Sequence, residues 1–175
     1  GLIRFVTGFI NFKTGSFKYE NSYNKQGNKT VGSYYIWDSK LNLWKGQGNF
    51  VESDYDSFGN MLSRVIKIWD VSLNQWVNNS KSDFNYNEHG QRMQHIAYQW
   101  DSLTNVWVTL NKTENKYNEN GDITGIIEYQ WYNEDNLWVV TSQNELLYDA
   151  NGNLSKYQIL LLDTVSNNWY PGTKD

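Results

Sequence analysis

The sequence predicts an all-β protein built as a tandem β-hairpin array, an extended or spiralling antiparallel meander in which successive strands are neighbours. A frame of the form W-D-x-x-x-N-x-W recurs along the chain, and a marker of the form Y-[DN]-x-x-G lies between its copies. The marker glycines are separated by 32, 31, 31 and 31 residues. This period accommodates two strands of about ten residues each, at the usual rise per residue.

The period extends over the whole chain, and residues 1–175 are interpreted as a single repeat array. Its approximate repeats are 1–22 (partial), 23–54, 55–85, 86–116, 117–147 and 148–175 (partial). Because both terminal repeats are partial, we expect either a piece of a longer array or irregular caps at its two ends. Repeat length alone leaves an alternative open, closure into a barrel of about ten or eleven strands, which would remove both sheet edges.

The marker predicts the tight turn between one repeat and the next. Its glycine can take the positive φ that closes a short hairpin, and its Asp or Asn can bond the backbone two residues further on. The predicted turn glycines are Gly27, Gly59, Gly90, Gly121 and Gly152.

The frame predicts the opposite end of each hairpin. Six residues separate its tryptophans, an even number that places Trp100 across from Trp107 on one face of an antiparallel pair. Its Asp and Asn bracket the short connection and supply side-chain groups to the backbone there. The predicted turn residues of this frame are Asp70, Asp101, Asn74, Asn105 and Asn136.

Strict alternation along the returning strand predicts which residues share the face of Trp107. They are Thr109, Asn111, Thr113, Asn115 and Tyr117. An acid also stands three residues before each marker tyrosine, at Glu20, Glu52, Asp83, Glu114 and Glu145. We interpret this row as a cross-strand charge ladder on a solvated face. One acid per strand does not supply the converging oxygens that a hard cation requires, so no metal site is predicted.

Charge and composition narrow the classes of partner. The net charge is −4, with both signs mixed along the chain, so a nucleic-acid partner is not expected. There is no cysteine, which excludes disulfides and metals bound by cysteine. No apolar run approaches the length of a membrane helix, so membrane insertion is not expected. No cofactor motif is present. Open sheet edges make self-association an expectation.

The run Tyr148-Asp149-Ala150-Asn151-Gly152-Asn153-Leu154 resembles the YD or RHS-type repeat. Together with the tryptophan frame and the 31-residue period, it is similar to repeats of secreted bacterial proteins that often end in a type IX secretion sorting domain. The resemblance implies an extracellular or cell-surface location, with the export signal outside this sequence. It implies no activity. The sequence departs from the pattern at Tyr132, which replaces the frame's Asp, and at Leu162, which replaces its Trp.

Repeated residues are poor catalytic candidates because an active site needs a unique constellation. The two histidines, His89 and His95, and the acid pairs Asp54 with Asp56 and Glu134 with Asp135 match no catalytic motif. We therefore predict no catalytic residue and a non-enzymatic role.

Two functions fit the sequence. The first is an extracellular structural or adhesive repeat segment of a bacterial surface or secreted protein, contacting a glycan or a cell-surface protein. The second is a carbohydrate-binding module in which exposed aromatic rings stack on sugars. Its candidate ligand-binding residues are Trp37, Trp44, Trp69, Trp76, Trp100, Trp107, Trp131 and Trp138.

Overall fold

The computed structural model describes residues 4–12, 15–163, 166 and 168–172, and all of its regular elements are strands. They are β1 Arg4–Phe12, β2 Gly15–Tyr23, β3 Lys29–Asp38, β4 Leu43–Gly46, β5 Asn49–Tyr55, β6 Met61–Asp70, β7 Gln75–Tyr86, β8 Arg92–Asp101, β9 Val106–Tyr117, β10 Ile123–Tyr132, β11 Leu137–Tyr148, β12 Leu154–Asp163 and β13 Asn168–Pro171. Within the described ranges there is no helix long and apolar enough to cross a membrane.

The thirteen strands form one antiparallel sheet. Twelve follow one another in the order β1-β2-β3-β5-β6-β7-β8-β9-β10-β11-β12-β13, and β4 pairs with β3 beside this path. Sequential strands are therefore neighbours, which confirms the predicted all-β meander. The order begins with β1 and ends with β13, so across the described strands the sheet is not closed. The alternative of a barrel was wrong.

The chain divides into two compact units, each described by itself below. The first unit consists of Gly1–Asp83 and Gln99–Val108, and the second consists of Phe84–Tyr98 and Thr109–Asp175. The first contains three complete tryptophan frames, and the second contains the frame from Trp131 to Trp138.

The 32-residue step has a structural cause in the first unit. Strand β3 pairs with β4 from Tyr35 onward but with β5 only through Val31 and Gly32. Between β4 and β5 the chain loops out at Gly48, whose φ is 70°, while the Gln47 N–H still donates to the Tyr34 carbonyl. This loop holds one residue more than the single-residue bulge at the corresponding place in β11. The sheet is therefore locally split between β3 and β5.

Bulges also overturn the predicted assignment of faces. In β11 the register skips Thr141, so beyond Val140 the residues on the tryptophan face change from even-numbered to odd-numbered positions. In β7 the register skips Asn79, with the same effect. On β9, Lys112 and Glu114 lie opposite Tyr129 and Ile127, which share the face of Trp131. The prediction that Asn111, Thr113, Asn115 and Tyr117 follow the tryptophan face was therefore wrong, because a bulge shifts the period by one residue.

Neither face of the sheet carries a buried apolar core. Among the described residues no hydrophobic side chain is buried, and the buried polar residues are Ser22, Ser33, Ser53, Asn115 and Ser142. Stability must therefore come from the strand ladders and from contacts between half-buried aromatic side chains.

Candidate functional site

The tryptophan frames place pairs of indole rings at one end of each hairpin. Ring centroids within the complete pairs lie 5.0–5.2 Å apart, with interplanar angles of 63–79°. The pairs are Trp37–Trp44, Trp69–Trp76, Trp100–Trp107 and Trp131–Trp138. The weakened frame keeps the same register, with Leu162 opposite Trp169. Edge-to-face packing is the preferred geometry for such rings, so each pair clamps its hairpin.

The turn between paired tryptophans depends on both repeated polar positions of the frame, the Asp and the Asn. The Asp70 carboxylate accepts from the N–H groups of Ser72 and Leu73 at 2.8 and 3.0 Å and from the Ser72 hydroxyl at 2.6 Å. Asn74 has a φ of 53°, and the Asn residues at the same position of the other frames have φ values of 52–56°. These residues are Asn42, Asn105 and Asn136. The sequence predicted left-handed conformation for the marker glycines alone. Asn also tolerates this conformation, and it closes the frame turn.

The marker turns use a different arrangement. In the turn after Tyr55, one oxygen of Asp56 accepts the N–H groups of Phe58 and Asn60 at 2.9 and 2.8 Å, and its second oxygen accepts from the Asn60 side chain at 2.9 Å. Gly59 has a φ of 91°. The other marker glycines also have positive φ, at Gly27, Gly90, Gly121 and Gly152. Glycine is required here because a side chain disfavours that conformation.

Aromatic contacts join one hairpin of the first unit to the next. The Tyr35 ring lies 6.3 Å from Trp69 and 5.9 Å from Trp76, edge-on to both, and the Trp76 indole N–H donates to its hydroxyl at 3.2 Å. Phe50 lies 5.8 Å from Trp76. The rings of Trp69 and Trp76 pack directly over Gly46, where any Cβ would overlap them. The Trp69–Trp76 clamp therefore also holds the preceding hairpin.

A lysine completes the aromatic cluster in each unit. In the first unit, Lys18 Nζ lies 4.3 Å from the Tyr35 ring centre and 5.6 Å from that of Trp44, and pairs with Glu20 at 2.9 Å. The ion pair joins residues of one strand. Lys81 and Asp83 pair in the same way at 2.8 Å. Glu52 pairs across strands with Lys67 at 2.9 Å, as the predicted ladder requires. The other three ion-paired acids of the row instead bond the lysine two residues earlier on their own strand, because residues two apart share a face.

The corresponding cluster of the second unit is the most connected polar group described. Lys112 Nζ lies 3.9 Å from the Tyr129 ring centre and 5.3 Å from that of Trp138, and it donates to Glu114 at 2.6 Å. The Tyr129 hydroxyl donates to the other Glu114 oxygen at 2.6 Å. Burial and this hydrogen bond raise the pKa of Tyr129 to about 12. Burial alone raises the pKa of Glu114, but the hydrogen bonds from Lys112 and Tyr129 outweigh it and lower that pKa. The Lys112 ammonium is ion-paired with Glu114, and its side chain is only 12% exposed.

Marker tyrosines reach back to an earlier strand. The hydroxyl of Tyr117 donates to the Arg92 carbonyl and that of Tyr148 to the Ile123 carbonyl, both at 2.9 Å, and Tyr55 reaches the Lys29 carbonyl at 3.2 Å. Their spacing of 25 or 26 residues is visible in the sequence, but only the register shows that these atoms meet.

The residues examined for catalysis lie apart. His95 stacks on Phe84 at 4.9 Å, and burial, together with the charge of Arg92, lowers its pKa. His89 lies in an exposed turn. Asp54 accepts from Ser63 at 3.1 Å, and Asp56 holds its marker turn. Glu134 and Asp135 are exposed, and no three metal-ligating side chains cluster in the part of the chain that the structure describes.

Comparison with known proteins returned matches to solved structures alone. No family model matches the sequence, and no curated protein matches it. A protein of unknown function from Bacteroides fragilis NCTC 9343 is similar in structure, with a TM-score of 0.58 and 17% identity over 72% of this chain and 91% of that one. The likeness is one of fold. Identity at this level supports no statement about activity.

Two proteins of the DUF3836 family are more distant matches. The one from Bacteroides vulgatus ATCC 8482 has a TM-score of 0.46 and 16% identity, covering 54% of this chain and 92% of that one. The one from Parabacteroides distasonis ATCC 8503 has a TM-score of 0.43 and 15% identity, covering 70% and 95%. The resemblance to YD or RHS-type repeats stays a prediction.

Proposed function

We propose that the chain is a non-enzymatic structural and adhesive repeat segment of an extracellular or surface-attached bacterial protein. The observation that carries the adhesive part is a set of exposed leucines at the frame turns of the first unit. Leu41, Leu73 and Leu103 are 58%, 60% and 91% exposed, each between the two tryptophans of its frame. Exposed apolar groups repeated on one unit mark a contact surface, and repetition suits weak multivalent binding.

The structural part of the proposal rests on the interlocking of successive hairpins. Trp69 and Trp76 pair with each other and at the same time pack on Tyr35 of the preceding hairpin. Contacts of this kind stabilise a repeat through its neighbours and need no central core. The extracellular location rests on the resemblance of the repeat to secreted bacterial proteins.

The test compares adhesion of matched variants. The protein is immobilised, and binding of host-derived surface proteins and of a glycan panel is measured for the wild type and for Leu41→Ser/Leu73→Ser/Leu103→Ser. A control, Leu147→Ser/Leu154→Ser, changes leucines that are 54% and 53% exposed in the second unit. We expect the triple variant to lose binding and the control to keep it. Equal binding by all three proteins, or binding by none, would contradict the adhesive role.

A second candidate function is carbohydrate binding by the tryptophan face. It is favoured by the incomplete burial of the indole rings, since all nine tryptophans keep part of their surface in solvent. The edge-to-face angle within each pair limits each pair to one outward-facing ring for stacking. Tryptophan fluorescence titrated with neutral and acidic polysaccharides tests this candidate. Unchanged emission with every polysaccharide would exclude it.

A further inference from the structure

The irregular repeat 23–54 leaves a shallow pocket where β3 and β5 separate. Its volume is about 230 Å³, room for roughly seven waters at about 30 Å³ each. The lining residues are Lys29, Val31, Gly32, Val51, Ser53, Tyr55, Met61 and Arg64. Glu52 and Phe50 lie on the tryptophan face of β5. Ser53, which pairs with Arg64, is the next residue after Glu52 and therefore lies on the other face. The pocket therefore opens on the face opposite to the tryptophan pairs.

Three polar side chains of this pocket, those of Lys29, Ser53 and Arg64, form no side-chain hydrogen bond or ion pair within the described residues, whereas the Tyr55 hydroxyl donates to the Lys29 carbonyl. Lys29 and Arg64 are exposed at its rim, and neither forms an ion pair within the described residues. Ser53 is only 7% exposed, and no side-chain hydrogen bond of it is found in the described part of the chain. No carboxylate lines the pocket. These three donors are therefore open to a ligand that accepts hydrogen bonds.

The same place in a later repeat is filled with larger side chains. Counted from the marker tyrosine and glycine, Ser53 corresponds to Leu146 and Arg64 to Tyr157, and these two are register partners just as Ser53 and Arg64 are. Gly32 corresponds to Ile126, and the Lys29 side chain folds over Gly32 where a Cβ would otherwise stand. Two small residues and two cations thus stand together where repeats 23–54 and 55–85 meet, and not at the matching place on β10, β11 and β12. A unique constellation within a repeated framework is what a dedicated site requires.

We propose that this pocket binds a small monocarboxylate with a compact apolar body. The Arg64 guanidinium and the Lys29 ammonium pair with the carboxylate, and the Ser53 hydroxyl donates to it or to a water that it holds. Val51 and Met61 contact the apolar part. This chemistry is shared by a free aryl or alkyl carboxylate and by a peptide C-terminus with an apolar last residue. The site is independent of the adhesive surface, because Leu41, Leu73 and Leu103 lie in the frame turns and none of them lines the pocket.

The test is a titration of the full chain followed by backbone amide NMR at low ionic strength, since salt screens exposed charges. The probes are sodium benzoate, N-acetylvaline, and their neutral amides benzamide and N-acetylvaline amide. We expect saturable shifts confined to residues 29–32, 51–55 and 61–64 with the carboxylates, and at least about tenfold weaker binding of the amides, a factor that corresponds to about 1.4 kcal/mol. Stronger binding of benzoate points to a free small molecule, and stronger binding of N-acetylvaline to a peptide C-terminus.

Three variants separate the site from general charge effects. Arg64→Gln and Lys29→Met should each weaken benzoate binding about tenfold. Ser53→Leu, which introduces the residue of the matching position in the fifth repeat, should abolish it while leaving the far-ultraviolet spectrum unchanged. Lys156→Met removes an exposed lysine of the second unit and should change nothing. Equal affinity for benzoate and benzamide, or equal loss with Lys156→Met, would overturn the proposal without touching the adhesive role.

Discussion

The indole N–H of Trp76 donates a 3.2 Å hydrogen bond to the hydroxyl of Tyr35, a residue 41 positions earlier in the chain. This bond links the clamp of one hairpin to the middle of the preceding one. Tyr35→Phe keeps the ring but leaves a partly buried donor unpaired. We expect the free energy of unfolding to fall by about 1 kcal/mol, measured by urea denaturation with circular dichroism. Tyr132→Phe, at a tyrosine that is 48% exposed, is the control and should be neutral. A Tyr35→Phe protein as stable as the control would show that the bond contributes nothing.

The packing of indole rings over Gly46 leads to a second prediction. Gly46→Ala introduces a Cβ into the space occupied by the rings of Trp69 and Trp76. We expect a loss of about 1–3 kcal/mol, because rigid rings must move, and a reduced near-ultraviolet circular dichroism signal. Gly125→Ala is the matched control, since the nearest atom there is 3.3 Å away on the flexible Lys116 side chain. If both variants unfold at the same denaturant concentration, the clamp is not tightly packed against β4.

Left-handed Asn residues in the frame turns lead to a third prediction. Asn74 has a φ of 53°, which costs an Ala residue about 1–2 kcal/mol. Asn74→Ala should therefore lower the thermal midpoint, whereas Asn74→Gly should leave it nearly unchanged. Gln75→Ala, at an exposed neighbour without positive φ, should have little effect. Scanning calorimetry of the three variants measures the difference. The prediction fails if the Ala and Gly variants melt together.

The carboxylates of the frame turns make the stability of the fold depend on pH. Hydrogen bonds from Ser72 and then from the Leu73 N–H lower the pKa of Asp70 below its ordinary value of 3.8, and bonds from Thr104 and Leu103 do the same for Asp101. A carboxylate whose pKa is lowered by folding stabilises the fold above 3.8, and this contribution is lost as pH falls through the folded-state pKa. The thermal midpoint of the wild type should therefore fall as the solution is acidified below that value.

Asp70→Asn/Asp101→Asn tests the origin of this fall. Asn accepts the same N–H groups without titrating, as Asn24, Asn87 and Asn118 do in the marker turns. We expect the variant to lose less of its thermal midpoint than the wild type between about pH 5 and about pH 2. Parallel curves for the two proteins would place the acid sensitivity in other carboxylates.

Much of the hairpin geometry could be predicted because it depends on short sequence separations. Six residues between tryptophans fix an even register, so the pairing of Trp69 with Trp76 follows from counting. The faces could not be predicted beyond the bulges. Skipping Asn79 in β7 or Thr141 in β11 leaves no mark in residue type, yet it moves Asp83 and Glu145 to the tryptophan face.

The sequence by itself determined the all-β class, the period and the tight turns, because each follows from local chemistry repeated along the chain. Tertiary structure alone decided three further features. The extra residue before Gly48 splits β3 from β5, and this split brings Lys29, Ser53 and Arg64 around one pocket. Trp76 reaches Tyr35, and no described apolar side chain becomes buried. All three depend on which strands lie side by side and in what register, which the distance between residues in sequence does not specify.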